Sequence, residues 1–180
     1  MNEMMVDIES LGLENNSVML SVGWCVFSKT HGVSLKSVDG CRINVASELL
    51  LGAVIDEDTV SWWNNQSHEA RQQIDRGMTV STDFAMMHLR DEFIENRCQT
   101  VWAKGPQFDI ENIKWHMDKV DIEAPWTHSQ VRDSRTLLKT TRLLHPDMND
   151  LVFGGTQHVA QDDAVFQALE VLECYKWLKD

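Results

Sequence analysis

Residues 4–12, MMVDIESLG, put two carboxylates, Asp7 and Glu9, inside the first apolar segment of the chain. In an extended strand the side chains alternate between faces, so Asp7 and Glu9 share one side while Val6 and Ile8 take the other. Two like charges this close repel and resist burial unless water, a proton or a cation sits between them. The segment is therefore either an edge strand with a wet polar face or a strand whose acids meet partners brought from elsewhere in the chain.

The rest of the sequence limits what those partners can serve. A chain of 180 residues, 43% hydrophobic and 24% charged, is expected to form one domain, 1–180, large enough to bury a core. The longest apolar runs are too short to span a bilayer, and the acidic start MNEMMVD lacks the basic and apolar regions of a signal peptide, so no membrane partner and a cytoplasmic location are expected. Cys25, Cys41, Cys98 and Cys174 form no C-x-x-C pair and are expected as reduced thiols, Cys25 and Cys174 within the core. The net charge of −12 excludes a broad basic surface that coats nucleic acid. It leaves room for an enzyme that meets a polyanion locally, through metal.

Hydrophobic patterning predicts strands over residues 4–9, 17–28 and 33–45, joined by short turns as an antiparallel meander. A helix is predicted over 58–74 with Asp58 or Thr59 as its cap. A second covers 81–96, with Phe84, Met87, Leu89, Phe93 and Ile94 available for its buried face. A short strand at 100–103, a helix at 108–119, a strand near 130–133, a helix at 134–144 and a last helix from about 158 to 178 complete the reading. Strands that give way to alternating helices and strands predict an α/β fold with a mixed sheet.

Further acids stand where such folds do chemistry. Asp109 opens a helix just after a strand, the junction at which α/β sheets place their sites. Residues 158–164, HVAQDDA, set His158 five residues before Asp163, a spacing that works if His158 lies in the loop before the helix. The other histidines form no H-x3-H or HExxH pattern, which argues against zinc, and His116 with Asp118 is expected at the surface. Trp62 and Trp63 lie about 100° apart on a helix, so one at most faces any one pocket. That one could stack on a base, with Gln66 bonding a sugar or base edge.

Asp7 and Glu9 on the first strand, Phe108-Asp109 opening a mid-chain helix, and His158 with Asp163 opening the last one occur in that order. The pattern resembles the DEDDh group of 3′–5′ exonucleases, the DnaQ-like branch of the RNase H-like fold. Residues 59–71, TVSWWNNQSHEAR, and 132–139, RDSRTLLK, resemble a phage and bacterial subfamily that includes T4-type phage exonuclease A and a small mycobacterial 3′–5′ exoribonuclease. Gly105-Pro106-Gln107 departs from the broader family, where many members have an asparagine before the Phe-Asp pair.

The resemblance implies an RNase H-like α/β fold and hydrolysis of phosphodiester bonds from the 3′ end of RNA or DNA, with release of 5′-mononucleotides. It implies two Mg²⁺ or Mn²⁺ ions held by Asp7, Glu9, Asp109 and Asp163, with His158 as general base on the attacking water. Ser10, Leu11 and Gly12 are implied to contact the 3′-nucleotide, Leu11 as an apolar wedge. Nucleic acid is the implied partner, in a bacterial cell or a phage-infected host, and a homodimer is one arrangement left open. A non-catalytic binding module on the same fold and a small-nucleotide phosphodiesterase remain alternatives.

Overall fold

In the computed structural model, which describes residues 1–75 and 78–178, β1 (Asn2–Ser10) occupies the middle of a five-stranded sheet. β2 (Met19–Ser28) pairs with it antiparallel, and β3 (Gly32–Arg42) pairs antiparallel with β2. On the other side β4 (Cys98–Ala103) runs parallel to β1, and β5 (Val131–Asp133) runs parallel to β4. The order is β3-β2-β1-β4-β5, so the predicted meander forms one half of a mixed sheet. A turn with Gly32 at φ 73°, a conformation open to glycine, closes the β2–β3 hairpin.

Strand alternation divides the core in two. Met4, Val6 and Ile8 face a layer that includes Val22, Trp24, Met86, Leu89 and Ile113. Met5 faces the opposite layer, with Cys25, Phe27, Trp102, Ala164 and Ala168. The first layer is covered by α4 (Thr82–Glu95) and α5 (Asp109–Lys119), and the second by α7 (Ala160–Trp177). Asp7 and Glu9 stand on the α7 side, in step with Met5. All four cysteines are buried and free. No described helix is long and apolar enough to cross a membrane.

Several expectations are corrected. The third strand ends at Arg42, and Val45–Leu50 instead form α1, capped by the Asn44 side chain, which accepts from the Ala46 amide at 2.9 Å. The single helix predicted over 58–74 is two helices, α2 (Glu57–Asn64) and α3 (His68–Asp75), and the side chain of residue 74 lies outside the described residues. Asp56, rather than Asp58 or Thr59, caps α2 through the Asp58 and Thr59 amides. The chain breaks there because Asn65 and Gln66 turn back to the Ser61 and Trp62 carbonyls, while Ser67 Oγ accepts from Ala70 N at 3.1 Å and starts the next helix.

In α4 the buried stripe is Thr82, Ala85, Met86, Leu89 and Phe93, whereas Phe84, Met87 and Ile94 are exposed. That helix carries apolar residues on both faces, so periodicity alone does not choose between them. His116 is also corrected: it is fully buried on α5, not at the surface, and its Nε2 contacts the equally buried Glu48 carboxyl of α1. Its Nδ1 lies 2.9 Å from the Asn112 carbonyl, an acceptor, so Nδ1 carries a hydrogen. Glu48 also accepts from Met19 N and Thr82 Oγ1, which ties α1, β2, α4 and α5 together. After a 3-10 turn (His128–Gln130), α6 (Ser134–Leu144) follows β5 directly, as its sequence predicts.

Candidate active site

Parallel strands put their carboxyl ends on one edge of the sheet, where connecting loops can converge. β1 and β4 do so here. Asp7 and Glu9 project near the end of β1, beside a register shift between Glu9 and Ser10. Asp109 follows β4 as the first residue of α5, and its Oδ1 accepts from the Ile8 amide, between the two β1 acids, at 3.4 Å. The third approach is made by α7. Gly23 on β2 lies opposite Asp7, and a Cβ there would sit 2.3 Å from the Ala160 carbonyl carbon, so glycine lets the start of α7 rest directly on the strand.

That close approach delivers Asp163 and His158. His158 sits outside the helix in the left-handed region at φ 63°, and its backbone N–H donates to Asp163 Oδ2 at 2.8 Å. Its Nδ1 is 4.0 Å from Glu9 Oε1, and its ring meets Trp62 edge to face at 4.9 Å between centroids. Glu9, His158 and Asp163 each bring a ligand atom within 4.8 Å of the others. Asp7 Oδ1 accepts from Gln167 Nε2 at 2.7 Å. Asp7, Glu9, Asp109, His158 and Asp163 all line one open lobe of about 460 Å³.

Burial pushes the Asp7 carboxyl well above the usual range, and Asp109, Glu9 and Asp163 push it further while Gln167 pulls it down. Burial, with Asp163 and Asp109, raises Glu9 to about 8. Burial raises Asp109 to about 7 against the opposing pull of the Ile8 and Asp109 amides and of the Arg135 charge. Asp163 is raised as well, chiefly by burial, although the His158 backbone bond favours its ionised form. Among the described residues no lysine or arginine forms an ion pair with any of these four acids. The four acids thus stand without an ion-paired cation, although Lys104 and Arg135 line the same lobe, and their hard oxygen donors fit Mg²⁺ or Mn²⁺.

A second lobe of about 490 Å³ adjoins the first and shares Ile8, Glu9 and Phe108 with it. Ser10, Gly12, Trp62 and Trp63 line it, so both tryptophans face this lobe where their helical spacing predicts one at most, but the two differ. Trp63 is 5% exposed, packs with Leu20 and Ala70, and donates its Nε1 to the Ser10 carbonyl at 2.8 Å. Trp62 is 43% exposed and turns its ring to His158. Leu11 packs in the Trp63 cluster with its amide and carbonyl engaged by Val18 and Asp56, while Leu13, 78% exposed, stands at the lobe. Gln66 does not line either lobe, and its amide donates to the Trp62 carbonyl.

Phe108, Leu13, Gln167 and Arg135 also line these lobes, and the sequence reading did not single them out as site residues. For Gln167 a signal existed: it lies four residues after Asp163, on the same face of α7. The other three depend on how distant segments meet.

A family model described as the 3′-5′ exoribonuclease Rv2179c-like domain matches residues 2–175. No curated protein matches the chain. Among solved structures, the nuclease domain of 3′hExo, a DEDDh family member bound to rAMP, is similar with a TM-score of 0.63 and 8% identity, over 97% of this chain and 92% of that one. E. coli Exonuclease I in complex with a 5cy-dA13 oligonucleotide is similar with a TM-score of 0.65 and 11% identity, over 99% of this chain but 40% of that one. At these identities the likeness shows the fold alone, the RNase H-like arrangement of a mixed five-stranded sheet with flanking helices.

Proposed function

The chain belongs to the Rv2179c-like 3′-5′ exoribonuclease domain family and is a 3′–5′ exonuclease, and from that premise we propose that it is a divalent-metal-dependent enzyme, acting as a single domain, that removes 5′-mononucleotides from the 3′ end of RNA. The observation that carries this reading is the meeting of Asp7, Glu9, Asp109, Asp163 and His158 in one lobe, the acids raised by burial and, at Asp7 and Glu9, by one another, with no cation paired to them. The four carboxylates would hold two Mg²⁺ or Mn²⁺ ions. When bound, such ions offset the charge that develops on the phosphate and on the leaving 3′-oxygen.

The protein's own groups do the rest. His158 Nδ1 is turned toward Glu9, which leaves Nε2 to take a proton from the attacking water. The new bond forms between that water oxygen and phosphorus, the bond from phosphorus to the upstream 3′-oxygen breaks, and the 3′-oxygen picks up a proton as the nucleoside 5′-monophosphate leaves. Trp62 and Phe108 offer flat apolar faces to the terminal base in the adjoining lobe, and stacking of this kind accepts any base. Glu9 lines both lobes and so stands between the terminal nucleoside and the scissile phosphate.

The experiment is to incubate 5′-labelled single- and double-stranded RNA and DNA with the protein in Mg²⁺, Mn²⁺ or EDTA. The reading predicts a ladder that shortens from the 3′ end of RNA and vanishes in EDTA. Equal action on DNA would widen the substrate class. Cleavage of dinucleotides alone would favour a small-nucleotide phosphodiesterase, and no cleavage with any metal would favour a binding module.

A further inference from the structure

The carboxyl ends of the three parallel strands lie side by side in the order β1, β4, β5, and each delivers different chemistry to the cleft. β1 brings Asp7 and Glu9, the segment after β4 brings Asp109, and β5 leads straight into α6, whose second residue is Arg135. The aromatic lobe opens on the β1 side, where Trp63 is bonded to Ser10. Its charged lining is Glu9, Asp56 and Asp58, with no lysine or arginine, which suits a neutral nucleoside and not a phosphate.

Arg135 lines the acid lobe and not the aromatic one. Lys104 lines the acid lobe too, but its Nζ is held 2.7 Å from Glu170 Oε2. Arg135 is exposed and forms no ion pair with a carboxylate among the described residues. Its guanidinium lies instead against Gly105, where a Cβ would stand 3.5 Å from Nη2. Gly105 has φ 139°, a conformation that disfavours any side chain, so the backbone between β4 and Asp109 stays bare for the guanidinium to rest on. An arginine beside a cleft that makes no ion pair with a carboxylate, although its charge reaches Asp109, presents its donor fork to a phosphate.

The sequence of sites across the sheet edge sets which phosphate that is. The terminal nucleoside occupies the Trp62 lobe, the scissile phosphate lies over the acids, and Arg135 stands beyond them on the β5 side. We propose that Arg135 binds the phosphate one linkage upstream of the scissile bond, on the 5′ side of the penultimate nucleotide. This rests on the exonuclease reading above and adds to it a residue that grips the chain being kept.

The test compares a single-stranded RNA decamer with the same decamer carrying one neutral methylphosphonate at that upstream linkage. Release of the first 3′-nucleotide is followed with wild type, Arg135→Gln and Arg135→Lys. A charge-assisted contact of this kind is worth about tenfold in KM. The neutral linkage should raise the wild-type KM by about that factor with little change in kcat, Arg135→Gln should raise KM equally on the unmodified decamer, and the two changes together should do no more than either alone. Arg135→Lys, which keeps the charge, should keep most of the sensitivity. Additive effects, or a wild type indifferent to the methylphosphonate, overturn the assignment. A wild type that releases nothing from the unmodified decamer refutes the exonuclease reading itself.

Discussion

The backbone N–H of His158 donates to Asp163 Oδ2 at 2.8 Å, so one carboxylate both lines the acid lobe and ties down the left-handed turn that presents the imidazole. The ring itself is not held by that bond; it packs edge to face against Trp62 and Trp63, beside Glu9. His158→Ala should therefore remove the base and leave the acids in place. We expect kcat to fall by about 10²–10⁴-fold, while Mn²⁺ still raises the melting temperature. Single-turnover rates and Mn²⁺-dependent melting measured on the same variant check this.

The acids give a pH dependence of stability with a definite sign. Asp7, Glu9, Asp109 and Asp163 all have folded pKa values above their ordinary ones, Glu9 at about 8 and Asp109 at about 7. Each therefore binds its proton more tightly in the folded state, so the stabilisation is complete below the ordinary carboxylate range and is lost as pH rises through the folded values. In EDTA the melting temperature should fall between pH 5 and 8.5, and Asp7→Asn should flatten that fall and raise the value at the alkaline end. Added Mn²⁺ should oppose the loss most at high pH, where the carboxylates are ionised. Thermal melts at both pH values, with and without metal, measure all three effects.

Trp62 and Trp63 should separate binding from folding. Trp63 is buried and hydrogen-bonded to Ser10, so Trp63→Ala should destabilise the fold by about 3–5 kcal/mol in denaturant titrations. Trp62 is exposed beside His158 and the aromatic lobe. Trp62→Ala should leave the unfolding midpoint within experimental scatter and raise KM for RNA by about tenfold, as loss of one base stack of 1–3 kcal/mol would.

His116 and Glu48 make a stability prediction that a surface histidine would not. Both are fully buried and in contact, and removing one partner strands the other without water. His116→Ala should lower stability by about 3–5 kcal/mol. Glu48→Gln, which keeps one of the two acceptor oxygens that Met19 N and Thr82 Oγ1 use, should lose less. Equilibrium unfolding of the two variants side by side makes the comparison.

The residues that were legible in the sequence are those whose position follows from short-range geometry. Two acids separated by one residue on a strand must share a face, an acid just after a strand must stand at the sheet edge, and an acid on the first turn of a helix must lie near the loop before it. Asp7, Glu9, Asp109 and Asp163 obey those rules, and His158 lies in the loop that its spacing requires, but that the five meet in one site is implied only by the resemblance to the DEDDh group. What stayed hidden depends on contacts between distant segments. Nothing near Leu11 and Leu13 tells which one turns inward, and the choice is made by Trp63 and Leu20. Glu3 lies just before the predicted first strand, yet it is part of β1 and buried, because Thr100, Trp102 and Tyr175 all donate to its Oε2 from β4 and α7. His116 is misread for the same reason, since its partner lies on α1, a six-residue helix that begins where the predicted strand ends.

The central claim is that four carboxylates, crowded beyond what burial tolerates, form a site for divalent metal on which 3′-end hydrolysis depends. Titration of Mn²⁺ into the protein at pH 7.5, followed by the loss of the free-ion paramagnetic signal, tests it directly when paired with 3′-nucleotide release on the same samples. Two ions bound per chain in wild type, with binding and nucleotide release lost together in Asp7→Asn, is the predicted result. Nucleotide release that persists in EDTA, or an Asp7→Asn variant that still binds two ions and cleaves at the wild-type rate, would contradict it.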